Sequence, residues 1–96
     1  SMTKAAIVNM TMSFARILAP EVRVNAVAPG WMEGRWMQSA LGADYDRLME
    51  RRGKRTPLRR VATPDDVAQT IVSLVAENDF VTGQVVVIDG GYSIVA

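Results

Sequence analysis

Two short runs constrain this chain more than anything else in it. Glu21-Val-Arg-Val-Asn-Ala-Val-Ala28 and Gln84-Val-Val-Val-Ile-Asp89 are rich in β-branched residues and poor in polar ones. Runs of this kind read as strands covered on both faces, the habit of parallel sheets. Glycine stops each of them, at Pro29-Gly30 and at Gly90-Gly91. The stretch between them is long enough to hold helices. Two such strands joined through helices form a parallel layer with a right-handed crossover. The expected fold class is therefore α/β.

Residues from Met2 to Leu18 read as a helix. Ala6, Met10, Phe14 and Ile17 form one apolar stripe, and Ile7, Val8, Met12, Ala15 and Leu18 fill much of the rest. A helix apolar nearly all round is expected to be buried on more than one side. Ala19-Pro20 ends it, because proline disfavours helical geometry in the residue before it. Ser1 is a candidate N-cap. Lys4 in the first turn works against the positive end of the helix dipole. Thr63-Pro64-Asp65-Asp66 is a second helix start, with a capping hydroxyl, proline at the first helical position and two acids in the first turn. Val67, Ile71, Leu74 and Val75 then fall at the spacing of one buried face, and the helix should end near Glu77-Asn78. Between about residues 31 and 60 the pattern is less regular. Gly34, Gly42, Gly53 and Pro57 punctuate it, and the expectation is a loop excursion with one short helix between Asp44 and Arg52. Two strands are too few for a sheet covered on both faces, so the chain reads as part of a larger layer.

Composition removes several functions. The chain is 49% hydrophobic, so it is not a disordered segment. No apolar run approaches the roughly 20 residues that span a bilayer, and the start lacks the pattern of a signal peptide. Without cysteine there is no disulfide or thiolate chemistry, which fits a reducing cytosol, and a cytoplasmic location is expected. Without histidine, serine–histidine catalysis and the common histidine metal sites are excluded within the chain, and no metal site is expected. A net charge of +1 implies neither nucleic acid nor membrane as a partner.

Four segments in register carry a more specific signal: Lys4-Ala5-Ala6, Arg23-Val-Asn-Ala-Val-Ala-Pro-Gly-Trp31, Thr63-Pro-Asp-Asp-Val-Ala68, and Val81-Thr-Gly-Gln-Val85 with Asp89-Gly-Gly91. Together they resemble the C-terminal portion of a classical short-chain dehydrogenase/reductase, particularly the branch of 3-oxoacyl-carrier-protein reductases. The resemblance implies the C-terminal part of one Rossmann-type parallel sheet with flanking helices, spanning residues 1–96 and carrying a substrate lid at about 31–60. It implies an NAD- or NADP-dependent enzyme that interconverts a carbonyl and a secondary alcohol. In the family's Tyr-x-x-x-Lys signature Lys4 matches the lysine, and the tyrosine would immediately precede Ser1. The family's glycine-rich phosphate loop, Asn-Ala-Gly segment and active-site serine also lie upstream, so these 96 residues by themselves are expected to be inactive.

The chemistry behind that lysine is simple. A free tyrosine has a pKa of about 10 and is a poor base at neutral pH. An ammonium one helical turn away, at roughly 5 Å and an effective dielectric near 20, favours the phenolate by roughly 3 kcal/mol, about two pKa units. By the family pattern Lys4 also holds the nicotinamide ribose, and Pro29, Gly30 and the backbone of Met32 lie against the nicotinamide. A threonine is common in the family at the position of Gly34, and its absence removes one cofactor contact. Apart from the resemblance, Lys4 reads as a solvated lysine and Pro29-Gly30 as an ordinary strand-ending turn. Trp31, Trp36, Met37, Leu41, Tyr45 and Met49 fall in the lid and suit either an apolar, acyl-chain-like substrate or the lid's own packing. The basic run Arg51 to Arg55 reads as a solvated helix end or as a surface for an acidic carrier or phosphorylated substrate. Asn25 and Asp89 are expected to anchor backbone. The family implies a homo-oligomer, typically a tetramer. The competing reading is a non-catalytic polypeptide that keeps only the interaction surfaces.

Overall fold

A computed structural model describes residues 2–96, so the proposed cap Ser1 lies outside the described residues. In chain order the elements are α1 (Met2–Leu18), β1 (Ala26–Pro29), α2 (Arg35–Leu41), a 3₁₀ turn (Gly42–Asp44), α3 (Tyr45–Arg55), α4 (Pro64–Ala76), β2 (Val85–Ile88) and a last 3₁₀ turn (Tyr92–Ile94). β1 and β2 form a two-stranded sheet. Ala26 N–H donates to Gln84 O and Gly30 N–H to Ile88 O, each at 2.9 Å, so both strands ascend together and the pairing is parallel. The expected α/β layer is present. The chain divides into two compact units, residues 1–28 with 70–86 and residues 29–69 with 87–96.

In the first unit β1 is shorter than its sequence suggested. Residues 22–25 carry no strand assignment, and side chains take part of the bonding there. Val24 N–H donates to Thr82 Oγ1 at 3.0 Å. Asn25 Nδ2 donates to Val81 O at 2.9 Å, and its Oδ1 accepts from Gln84 N–H at 3.0 Å, which is the anchoring role expected of it. Arg23 reaches the last turn of α4, where Nη1 donates to Leu74 O at 2.9 Å and Nη2 to Val75 O at 3.2 Å. Those carbonyls have no partner within the helix, and a cation suits that end of the dipole.

Two burial expectations are corrected here. The predicted apolar stripe of α1 is open, with Phe14 47% and Ile17 71% exposed. The buried residues of α1 are Thr11 and Ala15, one turn apart, and the Thr11 hydroxyl donates to Ile7 O at 2.8 Å. On α4, Ile71 and Val75 are exposed and line an open groove with Val22 and Val24. The reason is area: two four-residue strands cover one narrow strip of a helix, not its circumference.

In the second unit the expected loop excursion is largely helical. Gly34 and Gly42, read as loop punctuation, are the caps of α2, with φ of 143° and 57°. α3 then runs to Arg55, past the predicted end at Arg52. Met49 and Gly53 are its buried residues, and Thr56 just after it is buried as well. The start of α4 follows its sequence closely. Thr63 Oγ1 accepts from Asp66 N–H at 3.2 Å, and Asp66 Oδ2 accepts from Thr63 N–H at 2.8 Å, a reciprocal capping box with aspartate as the acid. Arg60 grips the same carboxylate with two donors, at 2.6 and 2.9 Å. That fork, and then the Thr63 N–H, hold the Asp66 carboxyl well below the usual carboxylate range.

Because the folded carboxyl of Asp66 is the stronger acid, its contribution to stability is complete above the ordinary carboxylate pKa of about 3.9 and is lost as pH falls toward its depressed folded value. Denaturation followed at neutral and acidic pH should therefore show a shallower acid loss in Asp66→Asn than in the parent. Thr63→Ala should cost about 1 kcal/mol at neutral pH. A Thr63→Ala variant as stable as the parent would remove the capping role.

Candidate active site

The carboxyl end of β1 is where this fold exposes chemistry. Gly30 continues the pairing one residue beyond β1 by donating to Ile88 O. A Cβ at Gly30 would lie 2.9 Å from Asp89 Cβ and 3.3 Å from Asp89 Cα, distances that only glycine avoids. The sequence suggested that Gly30 admits a cofactor; the strand ends themselves also require it. Asp89 anchors backbone as expected, accepting from Gly91 N–H at 2.9 Å and Ser93 N–H at 3.0 Å. Burial alone would raise its pKa, but these N–H donors outweigh it and hold the carboxyl below its ordinary value. The turn they stabilise brings Gly90, at φ 62°, against Thr56, where a Cβ would fall 2.7 Å from Thr56 Cγ2.

Beyond Gly30 the chain makes a single parallel bridge between Met32 and Ala62. Ala62 N–H donates to Trp31 O at 3.0 Å and Glu33 N–H donates to Ala62 O at 2.9 Å. In this pattern the N–H and C=O of the middle residue point the other way. Met32 therefore turns one donor and one acceptor away from Ala62. Gly30, Trp31, Met32, Trp36 and Met37 line a groove of about 570 Å³. That size suits a small organic ligand or part of a cofactor.

The expected site residues divide accordingly. Trp31, Trp36 and Met37 line the groove with Gly30 and Met32, and Trp36 is 80% exposed. Met49 is packed inside the unit, and Leu41 ends α2 half-buried without lining the groove. The Tyr45 hydroxyl accepts from Gly34 N–H at 3.3 Å. At Gly34 the φ of 143° disfavours any side chain, so a threonine there would need different backbone. Lys4 belongs to the other unit, exposed on the first turn of α1. One arrangement escaped the sequence: the Arg52 guanidinium lies over the Trp31 ring, 4.5 Å from its centroid, and over the Tyr92 ring at 3.5 Å. Tyr92 is forty residues from Arg52 in sequence, and no local pattern links them. Among the described residues no helix is long and apolar enough to cross a membrane.

Parallel strands ending in a glycine-flanked groove are the layout of Rossmann-type nucleotide-binding proteins. Comparison with known proteins narrows this. The family model described as enoyl-(acyl carrier protein) reductase matches residues 1–93. A short-chain dehydrogenase/reductase homologue of Bacillus subtilis, YusR, is 38% identical over 94 residues, covering 98% of this chain and 68% of that protein. The 3-oxoacyl-[acyl-carrier-protein] reductase FabG of Thermotoga maritima is 41% identical over 91 residues, covering 93% of this chain and 35% of that protein. Ligand-free aldohexose dehydrogenase of Thermoplasma acidophilum superposes with a TM-score of 0.91 at 31% identity, covering 99% of this chain and 40% of that one. The chain belongs to the short-chain dehydrogenase/reductase family, and it spans about a third of the length of the Thermotoga relative.

The crowding at Gly30 gives a direct test. Gly30→Ala should destabilise the protein by about 1–3 kcal/mol, the range for overpacking a tight contact. Chemical denaturation measures it, and an unchanged midpoint would mean that Asp89 yields without cost.

Proposed function

We infer that the protein carrying this chain is an NAD(P)-dependent oxidoreductase that interconverts a carbonyl and a secondary alcohol. The observation that carries this reading is the groove at the end of β1, bordered by the outward-facing backbone of Met32. A carboxamide presents one acceptor and one donor, which complement the N–H and C=O of one extended residue. Pro29, Gly30 and Met32 would thus hold the carboxamide end of NAD or NADP, whose nicotinamide, when bound, accepts or delivers hydride. Family membership supports the cofactor class.

Lys4 is the catalytic lysine in this reading. Its ammonium favours the ionised form of a tyrosine one helical turn before it, so that the hydroxyl proton of the substrate can be exchanged at neutral pH. It also binds the ribose of the cofactor. Residues at about 31–60 form the substrate lid of a single Rossmann-type domain of which residues 1–96 are the C-terminal part. Trp31, Trp36 and Met37 give that lid an apolar wall suited to an acyl-chain-like small molecule. The likeness to the Thermotoga 3-oxoacyl reductase supports that substrate class. The exposed apolar residues of α1, Met10, Phe14 and Ile17, support a homo-oligomer, a tetramer by the family pattern, acting in the cytoplasm.

Turnover of NADH or NADPH with 3-oxoacyl substrates tests the reading. Lys4→Met should lower kcat/KM by about 10²-fold, the equivalent of roughly 3 kcal/mol in transition-state stabilisation. A loss of only a few-fold in a folded variant would return Lys4 to a solvated surface lysine. Absence of turnover with either nucleotide would favour the non-catalytic alternative. In sedimentation the protein should be larger than a monomer, and a monodisperse monomer would remove the oligomer.

A further inference from the structure

We propose that Arg52, with Arg51 and Arg55, forms a receptor for the oxyanion end of the substrate, a carboxylate or phosphate, beside the apolar groove. This deepens the oxidoreductase reading and rests on it for the word substrate, but the pocket itself is independent of that reading. Trp31, Leu48, Arg51, Arg52, Arg55 and Tyr92 line an open pocket of about 180 Å³. That is below the roughly 300–1,000 Å³ of pockets that take a whole drug-sized ligand. It suits one charged group of a larger molecule.

The aromatic clamp makes this more than a basic helix end. The Arg52 guanidinium carbon lies over both the Trp31 and the Tyr92 rings. Contact with two rings restrains the group, and its N–H donors have the fork geometry that matches two oxygens of an oxyanion. Among the described residues, no carboxylate lies within ion-pair distance of Arg51, Arg52 or Arg55. Two acids of this region are committed elsewhere: Glu50 pairs with Lys54 at 3.2 Å and Asp44 with Arg47 at 3.0 Å. Favourable placement at a helix C-terminus accounts for cations in the last turn, but not for one in contact with two aromatic rings.

Trp31 connects this pocket to the proposed site, because it lines both the small basic pocket and the 570 Å³ groove. A ligand with an apolar body along Trp31, Trp36 and Met37 would present its charged end to Arg52. The preferred substrate class is then a carbonyl compound bearing a terminal oxyanion, in preference to its neutral ester.

Tryptophan fluorescence of the protein, titrated with inorganic phosphate and separately with acetate at constant ionic strength, reads the pocket without any turnover. A saturable change beyond that of chloride is expected with at least one of the two, and which one answers separates phosphate from carboxylate. Arg52→Met should weaken it about tenfold or more, the scale of one lost charged hydrogen bond. Arg51→Gln and Arg55→Gln leave the aromatic clamp untouched and guard against misfolding of the Arg52 variant; at least one of them should weaken the response several-fold. No saturable response to either anion in the parent, or unchanged affinity in both glutamine variants, overturns the proposal. Phosphate or acetate binding without NAD(P)H turnover would leave the receptor standing and sink the oxidoreductase reading instead; turnover without anion binding would do the reverse.

Discussion

The parallel pairing of β1 with β2 is the constraint on which the rest depends, and side chains set its register. Asn25 bonds the backbone on the approach to β2 with both ends of its amide, at Val81 and Gln84. Since a one-residue slip in a strand reverses every side chain, a side chain that bonds two backbone groups of the partner segment fixes which face each valine takes. Arg23, two residues earlier, uses its guanidinium to satisfy the last carbonyls of α4. The helix that leads back toward β2 is thereby tied to the segment that leads into β1, within one unit.

The strand ends pass that order on to the chemistry. Gly30 and Asp89 approach so closely that a Cβ at Gly30 would lie 2.9 Å from Asp89 Cβ, so the turn after β1 and the turn after β2 start in contact. From Gly30 the chain goes directly into the Met32–Ala62 bridge, which aims the backbone of Met32. From Asp89 it goes into the Gly90-Gly91 turn and on to Tyr92, one face of the Arg52 clamp. A groove wall and an arginine clamp thus both trace back to the ends of two short strands. Preorganisation of this kind matters because a binding group held in place loses little freedom when its ligand arrives.

What could be read in the sequence was local. The helix start at Thr63-Pro64-Asp65-Asp66 is four residues wide, and the cap expected of Thr63 is present; Asp66, expected only as a first-turn acid, also bonds back to the Thr63 N–H. α1 was legible because seventeen residues of helical pattern outweigh any single choice. β1 was overextended because extended backbone looks the same whether its N–H groups meet a strand or the Thr82 hydroxyl. α2 was missed because Gly34 and Gly42, which bound it, carry the same signature as a loop. Of the candidate site, Gly30 was noticed for cofactor approach while its contact with Asp89 was invisible, since that contact joins residues distant in sequence. For Met49 composition left substrate contact and internal packing open, and it is interior because α3 turns that side of itself inward.

The exposed apolar residues follow from the same geometry. With two strands of four residues each, the layer has one edge on each strand and little face. Unpaired strand edges and open apolar helix faces are liabilities that proteins cover. Here Phe14 and Ile17 on α1 and Val75 on α4 remain open while Thr11 and Ala15 pack. A Cβ at Gly83 would lie 3.5 Å from Ala15 Cβ, so α1 packs there through small residues, and its bulky residues are exposed. The apolar circumference of α1 is therefore wider than the strip its own unit packs, which runs along Thr11 and Ala15, and the rest of it stays exposed.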